Sequence, residues 1–133
     1  MKEIIVDIEE EVIQAFFHLY GEGKVVCPHC GRLITNVLFL FQVLLLQNFY
    51  DKLFLITSYY RCPEYNKQIG GAIYSRHLKG RAIDIVLPDA KITEFITHCK
   101  EVGMTTILYY PEKKIVHLDN VSRAVYINLN YHR

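Results

Sequence analysis

The chain has 133 residues, 51% hydrophobic and 22% charged, which suits one globular domain that buries roughly two-thirds of its unfolded surface without disulfide staples. Lys and Arg total 15 against 14 acids, a formal charge of +1 with no basic stripe, so nucleic acid is excluded as the expected partner. The most apolar stretch, Val37 to Leu46, is too short for a membrane span, and Met1 to Glu11 lacks the apolar core of a secretory signal. The expected place of synthesis is therefore the cytoplasm, and the sequence leaves the oligomeric state open.

The first predicted helix is capped by Asp7, with Glu10 completing a capping box, and ends at Gly21. Val12, Ile13, Phe16, Phe17 and Tyr20 fall on one face of it. A loop carrying Cys27-Pro28-His29-Cys30-Gly31 leads to a second helix over Asn36 to Tyr50, apolar nearly all round and so expected at the centre of the core. Leu53 to Thr57 reads as a short strand. Pro63 then opens a short helix that Gly70-Gly71 terminates.

Arg81 to Val86 reads as a strand. The helix after it is capped near Asp89, buries Ile92, Phe95, Ile96, Cys99 and Val102, and stops at Gly103. Thr105 to Tyr110 and Lys114 to Leu118 form two strands joined by Pro111-Glu112-Lys113, and Ala124 to Leu129 forms a last one. Helices early and antiparallel strands late predict an α+β domain over 1–133, with a helical part at 1–50 and a catalytic core at 51–133.

Chemistry concentrates in two stretches. Asp84 sits between Ile83 and Ile85 in an apolar strand, where a carboxylate is unfavourable unless paired or bound to a metal. His77 lies upstream across Gly80, a residue that lets the loop fold back, and His117 lies on another strand. Two imidazoles and a carboxylate make a catalytic zinc set with one position left for water. Spacing alone equally fits a surface histidine and an ion-paired aspartate. Asp119, two residues past His117, shares its strand face and is placed to orient a ligand or handle a proton.

Ile56-Thr-Ser-Tyr-Tyr-Arg61-Cys62-Pro-Glu-Tyr-Asn66, then Gly70-Gly71-Ala72, then Ser75-Arg-His77-Leu-Lys-Gly80-Arg-Ala-Ile-Asp84, resemble the signature of the zinc D-Ala-D-Ala carboxypeptidase family. Tyr109-Tyr110-Pro111 leading to His117-Leu118-Asp119 resembles its closing motif. That family shares the fold of Hedgehog signalling domains and includes small phage and prophage lysis proteins. The resemblance implies a mostly antiparallel sheet packed by helices, with a zinc site on the sheet. It implies His77, Asp84 and His117 as zinc ligands, Arg61 as the cation receiving a substrate carboxylate and Ser75 as a hydrogen-bond donor. It implies hydrolysis of peptidoglycan stem peptides, as a carboxypeptidase or an endopeptidase, by a protein that reaches the cell wall after release.

Many relatives carry an acid three residues before the last histidine. Here that position is Lys114, which leaves Glu112 and Asp119 as candidate catalytic carboxylates. The alternative function is a non-catalytic zinc module that binds cell-wall peptides or a protein partner. Cys27 and Cys30 form half of a zinc-ribbon pattern, and Cys62 completes a three-cysteine structural metal site if the chain returns to the knuckle, with His29 as a further donor. A tight turn with free thiols and a Cys27–Cys30 disulfide are the other readings. Cys99 is expected in the core, and His18, His98 and His132 are expected in structural or surface roles.

Overall fold

In the computed structural model residues 8–88, 90–122 and 124–131 are described, so the expected caps Asp7 and Asp89, together with His132, lie outside the described residues. Helices α1 (Ile8–Tyr20) and α2 (Val37–Gln47) come first. Strand β1 (Ile56–Ser58), helix α3 (Pro63–Gln68), strand β2 (Ala82–Val86) and helix α4 (Ile92–Glu101) follow. Strands β3 (Thr106–Tyr110), β4 (Ile115–Asp119) and β5 (Tyr126–Asn128) close the order.

The strands form one sheet in the order β1-β2-β4-β3-β5, antiparallel except for the parallel β3–β5 pair. The fold is α+β with a mostly antiparallel sheet, as the element pattern predicts. Alternation sorts the sheet into two faces. Ile83, Ile85, Ile107, Val116 and Leu118 point into a core shared with Phe16 of α1, Phe39, Leu40, Val43 and Leu46 of α2, and Phe95 and Cys99 of α4. Each such side chain, fully buried, contributes about 1.5–3 kcal/mol.

Helix α2 corrects one expectation. Its sequence is apolar all round, yet Leu38, Phe41 and Leu45 remain 61%, 47% and 42% exposed. The helix packs through the stripe of Phe39, Leu40, Val43 and Leu46, and a domain this small has no further layer to cover its outer side. Asn36 caps it by accepting the Phe39 N–H (2.9 Å). It stops at Gln47, short of Tyr50, and the buried Gln47 side chain organises the next turn. Gln47 Oε1 accepts from Phe54 N (2.9 Å) and Tyr20 Oη (2.7 Å), and Gln47 Nε2 donates to the Lys52 carbonyl (2.9 Å).

Strand β1 is also shorter than expected: Leu53 to Ile56 keep the alternation of a strand, with Phe54 and Ile56 in the core and Leu53 and Leu55 exposed, but the pairing with β2 begins only at Ile56. Strand β5 is a brief edge strand whose Tyr126 and Ile127 are both exposed, so its alternation marks no buried face.

Gly80 joins the two halves of the chain. It adopts φ +63°, and a Cβ built on it would stand 1.9 Å from the Ile34 carbonyl oxygen, so the helical segment and the β2 loop touch there without a side chain between them. Tyr59 Oη donates to the Gly80 carbonyl (2.6 Å) and accepts from Thr35 Oγ1 (2.8 Å), while Asn36 N donates to the same carbonyl (3.3 Å).

Candidate metal centre and its cleft

Opposite the core, the sheet face carries the residues with chemistry. The β2–β4 register sets Asp84 opposite His117, and Leu108 of β3 is the next partner of His117. His77 reaches the same point from a 3₁₀ turn (Arg76–Lys79) whose Ser75 Oγ accepts the His77 N–H (3.3 Å) and which Gly80 closes.

The three donor atoms lie within 4.8 Å of one another. His77 Nε2 is 3.2 Å from Asp84 Oδ1, and His117 Nδ1 is 2.9 Å from the same oxygen. The far ring nitrogens are committed elsewhere. His77 Nδ1 donates to the Tyr59 carbonyl (2.5 Å), and His117 Nε2 donates to Asp119 Oδ2 (2.9 Å). A carbonyl only accepts, so His77 carries its proton on Nδ1, and burial pushes its pKa down. Its bare Nε2 lone pair therefore faces a carboxylate oxygen. Two acceptors meeting at that distance are the arrangement a cation resolves, and two imidazoles with one carboxylate suit a divalent metal.

Charge is distributed to match. Burial opposes an ionised Asp84, but the hydrogen bond from His117 outweighs it and holds the carboxyl well below the usual carboxylate range. Burial also opposes a protonated His117, yet its bonds to Asp119 and Asp84 raise its pKa to about 9. Asp119 is buried, accepts Val121 N at Oδ1 (3.2 Å), and is held below the usual range by His117. It grips the nitrogen of His117 that faces away from Asp84, the position from which an acid orients a metal ligand.

The cleft beside these residues encloses about 310 Å³ and is lined by Arg61, Ser75, Arg76, Thr106, Leu108 and Ser122, and by the rings of Tyr74, Tyr110, Tyr126 and Tyr131. Arg61 is only 4% exposed, and its Nη1 donates to Asn66 Oδ1 (3.1 Å). Asn66 Nδ2 in turn donates to the Ala72 carbonyl (2.9 Å). Gly71 makes this possible, since a Cβ there would fall 2.0 Å from Asn66 Oδ1 and 2.8 Å from Arg61 Nη1. A larger cavity of about 420 Å³ between Phe49–Leu55 and Val86–Pro88 holds none of these groups.

His77, Asp84, His117, Asp119, Arg61 and Ser75 thus converge on one cleft, whereas Glu112 and Lys114 do not line it. Both are exposed in the β3–β4 turn, where Lys114 adopts φ 54° and its carbonyl accepts from Leu87 N (2.9 Å). Cys27, Cys30 and Cys62 gather at a separate point, their sulfurs within 4.8 Å of one another.

Sequence reasoning missed the tyrosines of the cleft. The period-two spacing of Thr106, Leu108 and Tyr110 holds the signal for Tyr110, because Leu108 pairs with His117. Tyr126 and Tyr131 arrive through the parallel β5 pairing and a bond from Tyr131 N to the Tyr109 carbonyl (2.9 Å), which no local pattern announces.

The profile of the peptidase M15 family matches residues 14–119, a span that starts in α1 and ends on Asp119. The chain belongs to the peptidase M15 family. Its fold is accordingly of the Hedgehog/DD-peptidase type, and the M15 assignment makes it a metallopeptidase by class. A search of the curated proteins returns no match. Among the described residues of this M15 chain, no helix is long and apolar enough to cross a membrane.

Proposed function

We propose that this M15 chain is a zinc-dependent carboxypeptidase of peptidoglycan stem peptides, cutting at a terminal D-Ala-D-Ala. The observation that carries the reading is the placing of the buried Arg61 guanidinium on the wall of the cleft that holds His77, Asp84 and His117. A planar fork held by Asn66 suits a carboxylate, and a substrate ending in one would be fixed with its last peptide bond toward the three donors.

His77 Nε2, His117 Nδ1 and an Asp84 oxygen would hold the zinc. When bound, zinc supplies Lewis-acid polarisation of the scissile carbonyl and lowers the pKa of water. The chain's own residues do the rest. The Tyr59 carbonyl fixes the His77 tautomer, and Asp119 fixes that of His117. Arg61 and Ser75 bind and orient the substrate. Asp84 and Asp119 are the only carboxylates among the described cleft-lining residues, and His117 engages both. The hydroxyls of Tyr110 and Tyr131, whose rings meet edge to face at 5.2 Å, are the groups we assign to proton donation at the leaving amine.

Mass spectrometry of purified peptidoglycan fragments, incubated with zinc-loaded protein beside His77→Ala, tests the reading. Loss of a terminal alanine with the intact protein alone is the expected result. A new cut inside a cross-link would replace carboxypeptidase by endopeptidase. No product from folded, zinc-loaded protein would overturn the assignment and favour a binding module.

A further inference from the structure

The cleft leaves one motif of the chain without a role. Cys27, Cys30 and Cys62 are all free thiols, two of them buried, brought together across 35 residues of sequence. Cys27 and Cys30 belong to a closed knuckle in which Gly31 N donates to the Cys27 carbonyl (2.8 Å) and Cys27 N donates to the Arg32 carbonyl (2.8 Å), with Gly31 at φ +71°. Cys62 is the N-cap of α3.

We propose that these three sulfurs bind a second metal ion, a thiophilic divalent cation of the zinc class, that fastens the knuckle to the segment carrying Arg61. Zinc–sulfur bonds of about 2.3 Å at tetrahedral angles put sulfurs roughly 3.8 Å apart. The observed trio, within 4.8 Å, reaches that spacing by small side-chain adjustments. Backbone N–H groups are already aimed at the sulfurs. Cys62 N stands 3.4 Å from Cys27 Sγ, and Tyr65 N stands 3.5 Å from Cys62 Sγ. Donors turned onto sulfur stabilise thiolates, and metal-bound thiolates are commonly surrounded in this way. Cys99 serves as a contrast, a lone thiol in the apolar core.

Three thiolates leave one tetrahedral position. Among the described residues no carboxylate or imidazole joins the three sulfurs within 4.8 Å, so that position falls to water. His29 instead stacks its exposed ring on Tyr65, with centroids 6.2 Å apart.

The consequence reaches the cleft. Tyr59 gives its carbonyl to His77, Arg61 N donates to the His77 carbonyl (3.3 Å), and Cys62 enters the thiolate trio. Arg61 is therefore strung between two centres. The thiolate centre does not depend on the peptidase reading, and its test does not use turnover.

The full chain, purified reduced, is loaded with zinc, desalted and analysed for metal content, and then reloaded with cobalt(II) for absorption spectroscopy. The expected result is two equivalents of metal, with a thiolate-to-cobalt charge-transfer band in the near ultraviolet. His77→Ala should drop to one equivalent and keep the band, whereas a Cys27→Ser, Cys30→Ser double variant should drop to one and lose it. Should that variant not fold, an organomercurial added to the wild-type protein should release one equivalent as its thiols react. A cobalt spectrum without the thiolate band would overturn the proposal. So would an intact mass lower by two hydrogens together with a peptide map that joins two of Cys27, Cys30 and Cys62 in a disulfide.

Discussion

Asp84 and His117 are direct partners in the antiparallel β2–β4 ladder, and across that pair His117 Nδ1 stands 2.9 Å from Asp84 Oδ1. They are 33 residues apart in sequence, so only strand register brings them together. A slip of one residue would set Val116 or Leu118 opposite Asp84 and turn the whole apolar row toward the cleft. Because Val116 and Leu118 are both fully buried, the core that stabilises the sheet also fixes the geometry of the site.

Asp119 holds the outer nitrogen of His117, so Asp119→Asn should weaken metal binding without unfolding the chain. The expected loss is about 10- to 100-fold in metal affinity and turnover. Competition with a chromophoric chelator, beside circular dichroism, checks it. Unchanged affinity would show that Asp119 does not orient the ligand.

Arg61→Lys keeps a charge but loses the fork that meets a carboxylate. The change should raise KM for a carboxylate-ended peptide by about 10- to 100-fold, matching the roughly 1.5–3 kcal/mol of a hydrogen bond to a charged group, with a smaller effect on kcat. Gly71→Ala should act in the same direction, because the new methyl would displace the Asn66–Arg61 contact. Steady-state kinetics that show kcat falling while KM holds would refute a substrate-anchoring role.

Gly80→Ala addresses stability. The substitution forces a side chain onto φ +63° and into the Ile34 carbonyl, 1.9 Å away. Backbone strain alone costs about 1–3 kcal/mol, and the clash adds to it, so thermal melting should fall by several degrees or more. Tyr59→Phe, which removes the hydroxyl bridging Gly80 and Thr35, should be milder. If Gly80→Ala melts like the wild type, the contact between Ile34 and Gly80 is not a constraint on the fold.

The metal-free protein should show a distinctive pH profile. His117 has its pKa raised from 6.5 to about 9, so its ion pairs contribute stability that is full below 6.5 and is lost as pH rises through about 9. Asp84 is shifted the other way, so its contribution is present above 3.8 and is lost as pH falls through its depressed value. Melting temperatures measured in chelator should therefore decline between pH 6.5 and 9. Added zinc should stabilise progressively more over that interval, because its ligands must be deprotonated. A melting temperature in chelator that climbs across the interval would falsify the charge assignment of His117.

The sequence by itself determined the helix stops at Gly21, Gly70 and Gly103 and the α+β order of elements, and the resemblance of its motifs singled out His77, Asp84, His117, Arg61 and Ser75, which the structure gathers at one cleft. It also named Cys27, Cys30 and Cys62 as a trio conditional on the chain returning to the knuckle. Residue type is a local property, so patterns of glycine, proline and apolar period expose it directly. Tertiary structure alone decided that Asp84 opposes His117, that Asp119 takes the outer nitrogen, and that Glu112 and Lys114 stay in an exposed turn. It also decided that α2 keeps an open side and that tyrosines from β3 and from beyond β5 wall the cleft. The physical reason is common to all of these. Which face of a helix is covered, and which strands are neighbours, depends on how distant segments divide a limited core, and no single segment carries that information.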